Sequence, residues 1–371
     1  MKYVDEFRDG EKARRVAELI HRQVEPDRDY RLMEFCGGHT HAIFRFGVHE
    51  LMPSNLKFVH GPGCPVCVLP AGRIEAAIQL VESEDIILCT YADLMRVPAG
   101  KRDSLHKAKA RGADIRMVYS VSDVLAIARD SPEQQVVFFA IGFETTTPPT
   151  AVAIQIAEAE GLSNFSVYCN HVQTPPAMEH LLASGEAHIN GILGPSHVST
   201  IIGSSAYAAC CSHHQIPIVI AGFEPLDVIQ STLMLVRQIN EERFEVENQY
   251  SRAVSQTGNL KAQTLMRDVF EARPLFEWRG LGLLPDSAIQ IRAKYADFDA
   301  EKRFGMAEIA TADIKGCICP AVLRGLNDPD ECKLFATACT PEEPKGACMV
   351  SSEGACAAHY SYGRFRDEAG A

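Results

Sequence analysis

Basic charge is scarce in this 371-residue chain. It has 36 Lys and Arg against 48 Asp and Glu, a formal net charge of −12. Nucleic acid and an anionic membrane both call for a basic footprint, so the composition argues against either as main partner. Long apolar runs are missing as well. The longest strongly apolar stretch, VVFFAIGF at 136–143, is strand length and far short of a membrane span. The opening residues, MKYVDEFRDGEKARR, hold no apolar signal-peptide core, so a cytoplasmic location is expected. No G-x-G-x-x-G follows the first strand-like run and there is no Walker A lysine motif, so the sequence requires no nucleotide. Tryptophan occurs once, at Trp278, and reads as packing.

Cysteine, by contrast, is abundant: 13 residues, an odd count. A reducing cytosol disfavours structural disulfides, so heavy cysteine use there points to metal or redox chemistry. Some thiols have a plainer role. Cys89 and Cys169 lie inside apolar runs and read as small buried hydrophobes, and Cys210 and Cys211 are grouped with them.

Ala13, Val16, Leu19 and Ile20 share one face of a leading helix over 9–24. Strand-length apolar runs follow at 31–36, 57–60, 85–91 and 113–119, with helical segments such as GRIEAAIQLVES (72–83) between them. Further runs lie at 135–141, 165–169, 189–193 and 217–221. Strands alternating with helices predict parallel pairing and an α/β layer fold. The repeated rhythm predicts two similar parallel-sheet α/β domains, 31–134 and 135–228. An N-terminal helix within 1–30 is expected to pack on a C-terminal domain, 229–371, that is helical and cysteine-rich. Residues 236–252 are expected to form a charged, solvated helix within it.

Parallel sheets bind ligands beyond the C-terminal ends of their strands. The unusual motifs fall there: CGGHTH (36–41), GPGCPVC (61–67), GFETTTPP (142–149), NHVQTPP (170–176) and GPSHVS (194–199). Such loops at equivalent ends predict one cleft between two facing sheets.

CGGHTH offers Cys36, His39 and His41. A thiolate beside an imidazole makes an activated nucleophile or a metal site; the plain alternative is a capped strand-to-helix turn. GPGCPVC is a C-x-x-C of Cys64 and Cys67, a spacing that permits a reversible disulfide and a lowered thiol pKa. Half of a zinc site is the alternative there. GFETTTPP reads as a glycine turn into a helix start with threonine caps and proline in the first turn, and Glu144 in it is a candidate acid or base. GPSHVS adds Ser196 and His197, for which capping is again an alternative.

Six cysteines crowd the C-terminal region: Cys317, Cys319, Cys332, Cys339, Cys348 and Cys356. No histidine lies among them, so a metal there would have sulfur ligands. Four thiolates suit zinc or an iron–sulfur cube. The spacings lack the paired zinc-ribbon pattern, and ligand softness favours iron–sulfur. The residues alone do not choose four of the six.

Taken in order, EFCGGHTHAIFR, HGPGCPVCVLP, GFETT, GPSHVS and CKLFATACTP…GACMVSSEGACAA resemble the HypD family of [NiFe]-hydrogenase maturation factors, over nearly the whole chain. The resemblance implies two similar α/β domains and a third carrying a [4Fe-4S] cluster. Its ligands would be Cys317, Cys332, Cys339 and Cys356, leaving Cys319 and Cys348 as non-ligands. It also implies a scaffold on which Fe(CN)2CO is assembled before insertion into the hydrogenase large subunit. HypC would be the bound chaperone and HypE the cyanide donor. Cys36 would hold the iron together with the N-terminal cysteine of HypC, with His39 close by. Cys64 and Cys67 would be a redox pair between cluster and iron, an arrangement similar to ferredoxin–thioredoxin reductase. The candidate catalytic set is Cys36, His39, Cys64, Cys67, Glu144 and His197. The competing classes are a thiol–disulfide reductase and a zinc-stabilised binding module.

Overall fold

The structure is a computed structural model that describes residues 5–100 and 103–363. In chain order its strands are β1 (Tyr30–Glu34), β2 (Leu56–His60), β3 (Ile86–Thr90), β4 (Ile115–Met117), β5 (Gln135–Gly142) and β6 (Phe165–His171). They continue with β7 (Gly191–Pro195), β8 (Ile218–Ala221), β9 (Val246–Asn248), β10 (Phe270–Trp278) and β11 (Gly282–Ile291). One sheet has the order β2-β1-β7-β8-β9 and the other β4-β3-β5-β6, with parallel pairs throughout. Strands of parallel sheets are buried on both faces and so read as near-continuous apolar runs. Accordingly, every residue of β3 and β6 is buried.

The α/β class and the parallel sheets are as expected, but the sheets do not divide near residue 134. β3 pairs with β5 across that position, and β1 pairs with β7, Leu32 opposite Gly191. The chain lays down β1 and β2, then leaves through helix Ala71–Ser83 to build the whole second sheet. It returns along helix Thr174–Ser184 to complete the first. A rhythm of apolar runs shows that strands are parallel, not which ones pair, because any two parallel neighbours are joined by a long crossover.

The leading helix spans Gly10–Gln23 and is capped by Asp9, whose side chain accepts from the N–H groups of Glu11 and Lys12. Ala13, Ala17 and Ile20 form its buried face, while Leu19 is 38% exposed. The helix packs on helix Pro225–Asn240, held by an Arg8–Glu224 ion pair and by Asn240 Nδ2 donating to the Gln23 carbonyl at 2.6 Å. The partner helix lies past residue 228 yet belongs to the first sheet: its Leu235 and Val236 share a core with Leu193 and Val219. The expected docking on a separate C-terminal domain is therefore corrected to docking on the first sheet's own layer.

The predicted charged helix 236–252 is also corrected. The helix stops at Asn240, Glu242 takes a left-handed φ of 49°, and β9 then adds to β8 as the sheet edge. Arg243 pairs with Glu241, Glu245 and Glu247, which fixes the turn through charge rather than through helical spacing. β10 and β11 form an antiparallel hairpin that sequence reading missed. Pro274 and Pro285 disguise it, the former at a register shift between Arg273 and Leu275. Trp278 is fully buried there and donates to Ser287 Oγ at 2.9 Å, as its packing role predicts. The hairpin leans on the second sheet, sharing a core through Phe270 and Ile289. Beyond it, the cysteine-rich stretch has only short helical turns, such as Cys319–Leu323 and Ala355–Ala358. Among the described residues no helix is long and apolar enough to cross a membrane.

Candidate functional site

The C-terminal ends of the two sheets face each other across a cavity of about 460 Å3. Six strand ends reach it: Cys36 beyond β1, Gly63 beyond β2, Tyr91 beyond β3, Val118 beyond β4, Phe143 beyond β5 and His197 beyond β7. The predicted cleft is thus present. The loop after β6, NHVQTPP, is the exception: His171 is buried, its Nε2 sharing a 2.9 Å hydrogen bond with Thr150 Oγ1, and burial lowers its pKa to about 4.

Cys36 lies two residues past β1 and is the N-cap of helix Gly37–Arg45. Its sulfur lies 3.9 Å from Nδ1 of His197. Burial, and then the carboxylate of Glu353, push the thiol well above its ordinary pKa, against the N–H groups of Gly38 and His39 that favour the thiolate. Glu353 lines the same cavity, and burial raises its own pKa. Burial likewise lowers the pKa of His197, keeping the imidazole neutral beside the thiol.

His39 is fully buried and does not line the cavity. Its Nε2–H donates to the Ala221 carbonyl at 2.8 Å, and its Nδ1 has no partner among the described residues. The rings of His39 and His197 both pack on Phe223, with centroids 4.9 and 4.0 Å away. Glu144 is buried as well and is spent on structure. Its oxygens accept from the N–H (2.8 Å) and hydroxyl (2.9 Å) of Thr174, securing the start of helix Thr174–Ser184. Burial raises its pKa to about 7, but Thr145 and Thr146, not Glu144, line the cavity.

Cys64 and Cys67 form a disulfide with Cα atoms 5.2 Å apart. The loop that carries them lies against Cys36. Gly63 accepts from the Gly37 N–H at 3.1 Å, and a Cβ on Gly63 would come within 2.4 Å of the Cys36 nitrogen, so only glycine fits. On the other side, Cys67 Sγ lies 4.0 Å from the carbonyl of Ala347, the neighbour of Cys348. The dithiol therefore bridges from the cavity wall to the cysteine-rich segment.

Within that segment a Cβ on Gly346 would fall 2.5 Å from Cys317 Sγ and 2.6 Å from Cys319 Sγ, so those two sulfurs lie side by side, and Cys319 also perturbs the titration of Cys348 and Cys356. Cys332 and Cys339 sit on an adjoining loop: Cys332 Sγ reaches the Gly316 carbonyl at 3.8 Å, and Cys339 Sγ accepts from the Lys345 N–H at 3.3 Å. The Cys339 thiol also feels the charges of Cys317 and Cys332. The hydrogen bond from Cys319 lowers the Cys317 pKa to about 7. These thiols are soft donors, the chemical kind that a sulfur-ligated metal group takes. Cys319 and Cys348 thus lie nearer to Cys317 and Cys356 in their electrostatic influence than Cys332 does.

Sequence reasoning passed over Glu353 and Phe223. The signal for Glu353 was present, since it is the lone acidic residue between Cys348 and Cys356. Phe223 follows β8 without any motif chemistry, and only the tertiary fold reveals its place under both imidazoles.

Hydrogenase maturation factor HypD2 of Bradyrhizobium diazoefficiens is 60% identical over 99% of this chain and 98% of its own length. HypD of Azotobacter vinelandii is 58% identical over 99% of this chain and 98% of its own. HypD of Escherichia coli is 46% identical over the full length of both. The family profile HypD, described as hydrogenase formation hypA family, matches residues 11–363, and the chain belongs to the HypD family.

Proposed function

We propose that, within hydrogenase maturation, this protein is the scaffold and redox factor for assembly of the Fe(CN)2CO group. One observation carries the reading. A continuous line of contacts runs from Cys36 in the cavity, through the Gly63 loop and the Cys64–Cys67 disulfide, to Ala347 and the clustered thiols.

Each part has a physical role in this reading. Cys36 anchors the substrate iron, because a soft thiolate suits low-spin iron with cyanide and carbonyl ligands. A bound cation displaces the thiol proton that burial otherwise retains. His197 faces the sulfur from across the cavity. His39 supports that wall from behind through Phe223. The open side of the cavity receives HypC, whose N-terminal cysteine completes the anchor, and HypE, which delivers cyanide. Cys317, Cys332, Cys339 and Cys356 hold a [4Fe-4S] cluster in this proposal, with Cys319 and Cys348 packed among them as free thiols. The cluster would supply single electrons. The dithiol stores them in pairs, two electrons and two protons opening the disulfide and the reverse closing it. The cavity walls exclude water while the partner docks. The proposed setting is the cytoplasm.

The test uses protein purified without oxygen. Cys64→Ala and Cys67→Ala should retain the iron–sulfur colour and iron content of the parent but lose hydrogenase maturation. Unimpaired maturation by either variant would remove the relay from the account.

A further inference from the structure

A second group of ligating side chains lies away from the cavity. Glu179 is on helix Thr174–Ser184, and His213 and His214 end helix Ala208–His214. Glu179 Oε1 is 2.7 Å from His213 Nδ1 and 2.9 Å from His214 Nε2, and the three ligand atoms all lie within 4.8 Å of one another. We propose that these three residues bind one divalent cation of the zinc class, clamping the two helices together.

Consecutive residues on a helix point about 100° apart, so adjacent histidines do not ordinarily converge. Here they converge by using different nitrogens. His213 offers the near Nδ1 and His214 the far Nε2, just where Gln215 ends the helix in a left-handed conformation of φ 51°. The spacings also suit a metal. Neighbouring ligands on a cation with bonds of about 2.0–2.1 Å lie roughly 3 Å apart. Two imidazoles with one carboxylate favour late first-row cations over magnesium or calcium. His213 is 71% exposed, which leaves a path for the ion, and His214 also borders a separate cavity of about 390 Å3.

The site has a place in the fold. Helix Thr174–Ser184 is the return from the second sheet to the first, and a clamp on it ties that crossing to the first sheet's own helical layer. A cation that binds only the folded chain stabilises it by mass action.

The probe is Zn2+ added to the intact protein. After equilibration and desalting, the His213→Ala/His214→Ala double variant should carry one zinc fewer than the parent, whatever the cysteine segment binds in both. His213→Gln, at an exposed position, should weaken that zinc by more than about tenfold while leaving the fold intact. Crystals equilibrated with Zn2+ should show anomalous density between Glu179, His213 and His214. Equal zinc content in parent and double variant, or zinc density at the cysteines alone, overturns the proposal. Neither result touches the role proposed for Cys36.

Discussion

At Cys36, burial and charge act in the same direction. The sulfur is enclosed and feels the Glu353 carboxylate, and both hold the free thiol in its protonated form. Its position depends on a glycine. Gly63→Ala would drive a Cβ to within 2.4 Å of the Cys36 nitrogen. Overpacking of that kind costs about 1–3 kcal/mol. Urea unfolding should show a loss of that size, and maturation by the variant should fall even where the protein remains folded. Much at this scale was legible in the sequence, because glycines beside a cysteine and a C-x-x-C are local signals. Cys36, Gly63 and His197 do meet at one cavity. Other positions were not legible. Nothing in GFETT tells that both oxygens of Glu144 go to Thr174, thirty residues on, or that His39 points behind the cavity wall to Ala221.

At the scale of elements, a half-buried ion triad joins three of them. Glu301, from the short helix Ala300–Arg303, meets Arg73 of helix Ala71–Ser83 at 2.6 Å and also Arg273 of β10. Arg73 reaches on to the carbonyl of Cys169 in β6 at 3.1 Å. Burial alone would raise the Glu301 pKa, but the hydrogen bonds and charges of Arg73 and Arg273 outweigh it and hold the carboxyl at about 2. Its contribution is therefore complete above the ordinary value of 4.5 and is lost as pH falls through about 2. Glu301→Gln leaves two arginines uncompensated and should cost about 3 kcal/mol near neutral pH. Denaturation at pH 6 and pH 3 measures this: the gap between parent and variant should narrow at the lower pH. A gap unchanged by pH would show that the carboxylate charge contributes nothing. The elements themselves were largely legible, since the apolar runs mark nearly every strand of the two parallel sheets. Their partners were not, because pairing is decided by long crossovers. The hairpin was hidden by its prolines.

For the whole molecule, the interleaved chain has a consequence. The first sheet is finished only after the second has been built, so the two walls of the cavity are tied together by two crossings of the chain. The cysteine segment then closes over one side, with Glu353 in the cavity and Cys348 beside the carbonyl that Cys67 approaches. Cys36, the Cys64–Cys67 disulfide and the cysteine-rich segment thus become neighbours although they are far apart in sequence. The central claim is that Cys36 holds the iron being assembled. Infrared spectroscopy of the complex purified with HypC tests it most directly. The account predicts bands of metal-bound cyanide and carbonyl in the parent complex and their loss in Cys36→Ala. Bands absent from the parent complex, or persisting at full strength in the variant, would contradict it.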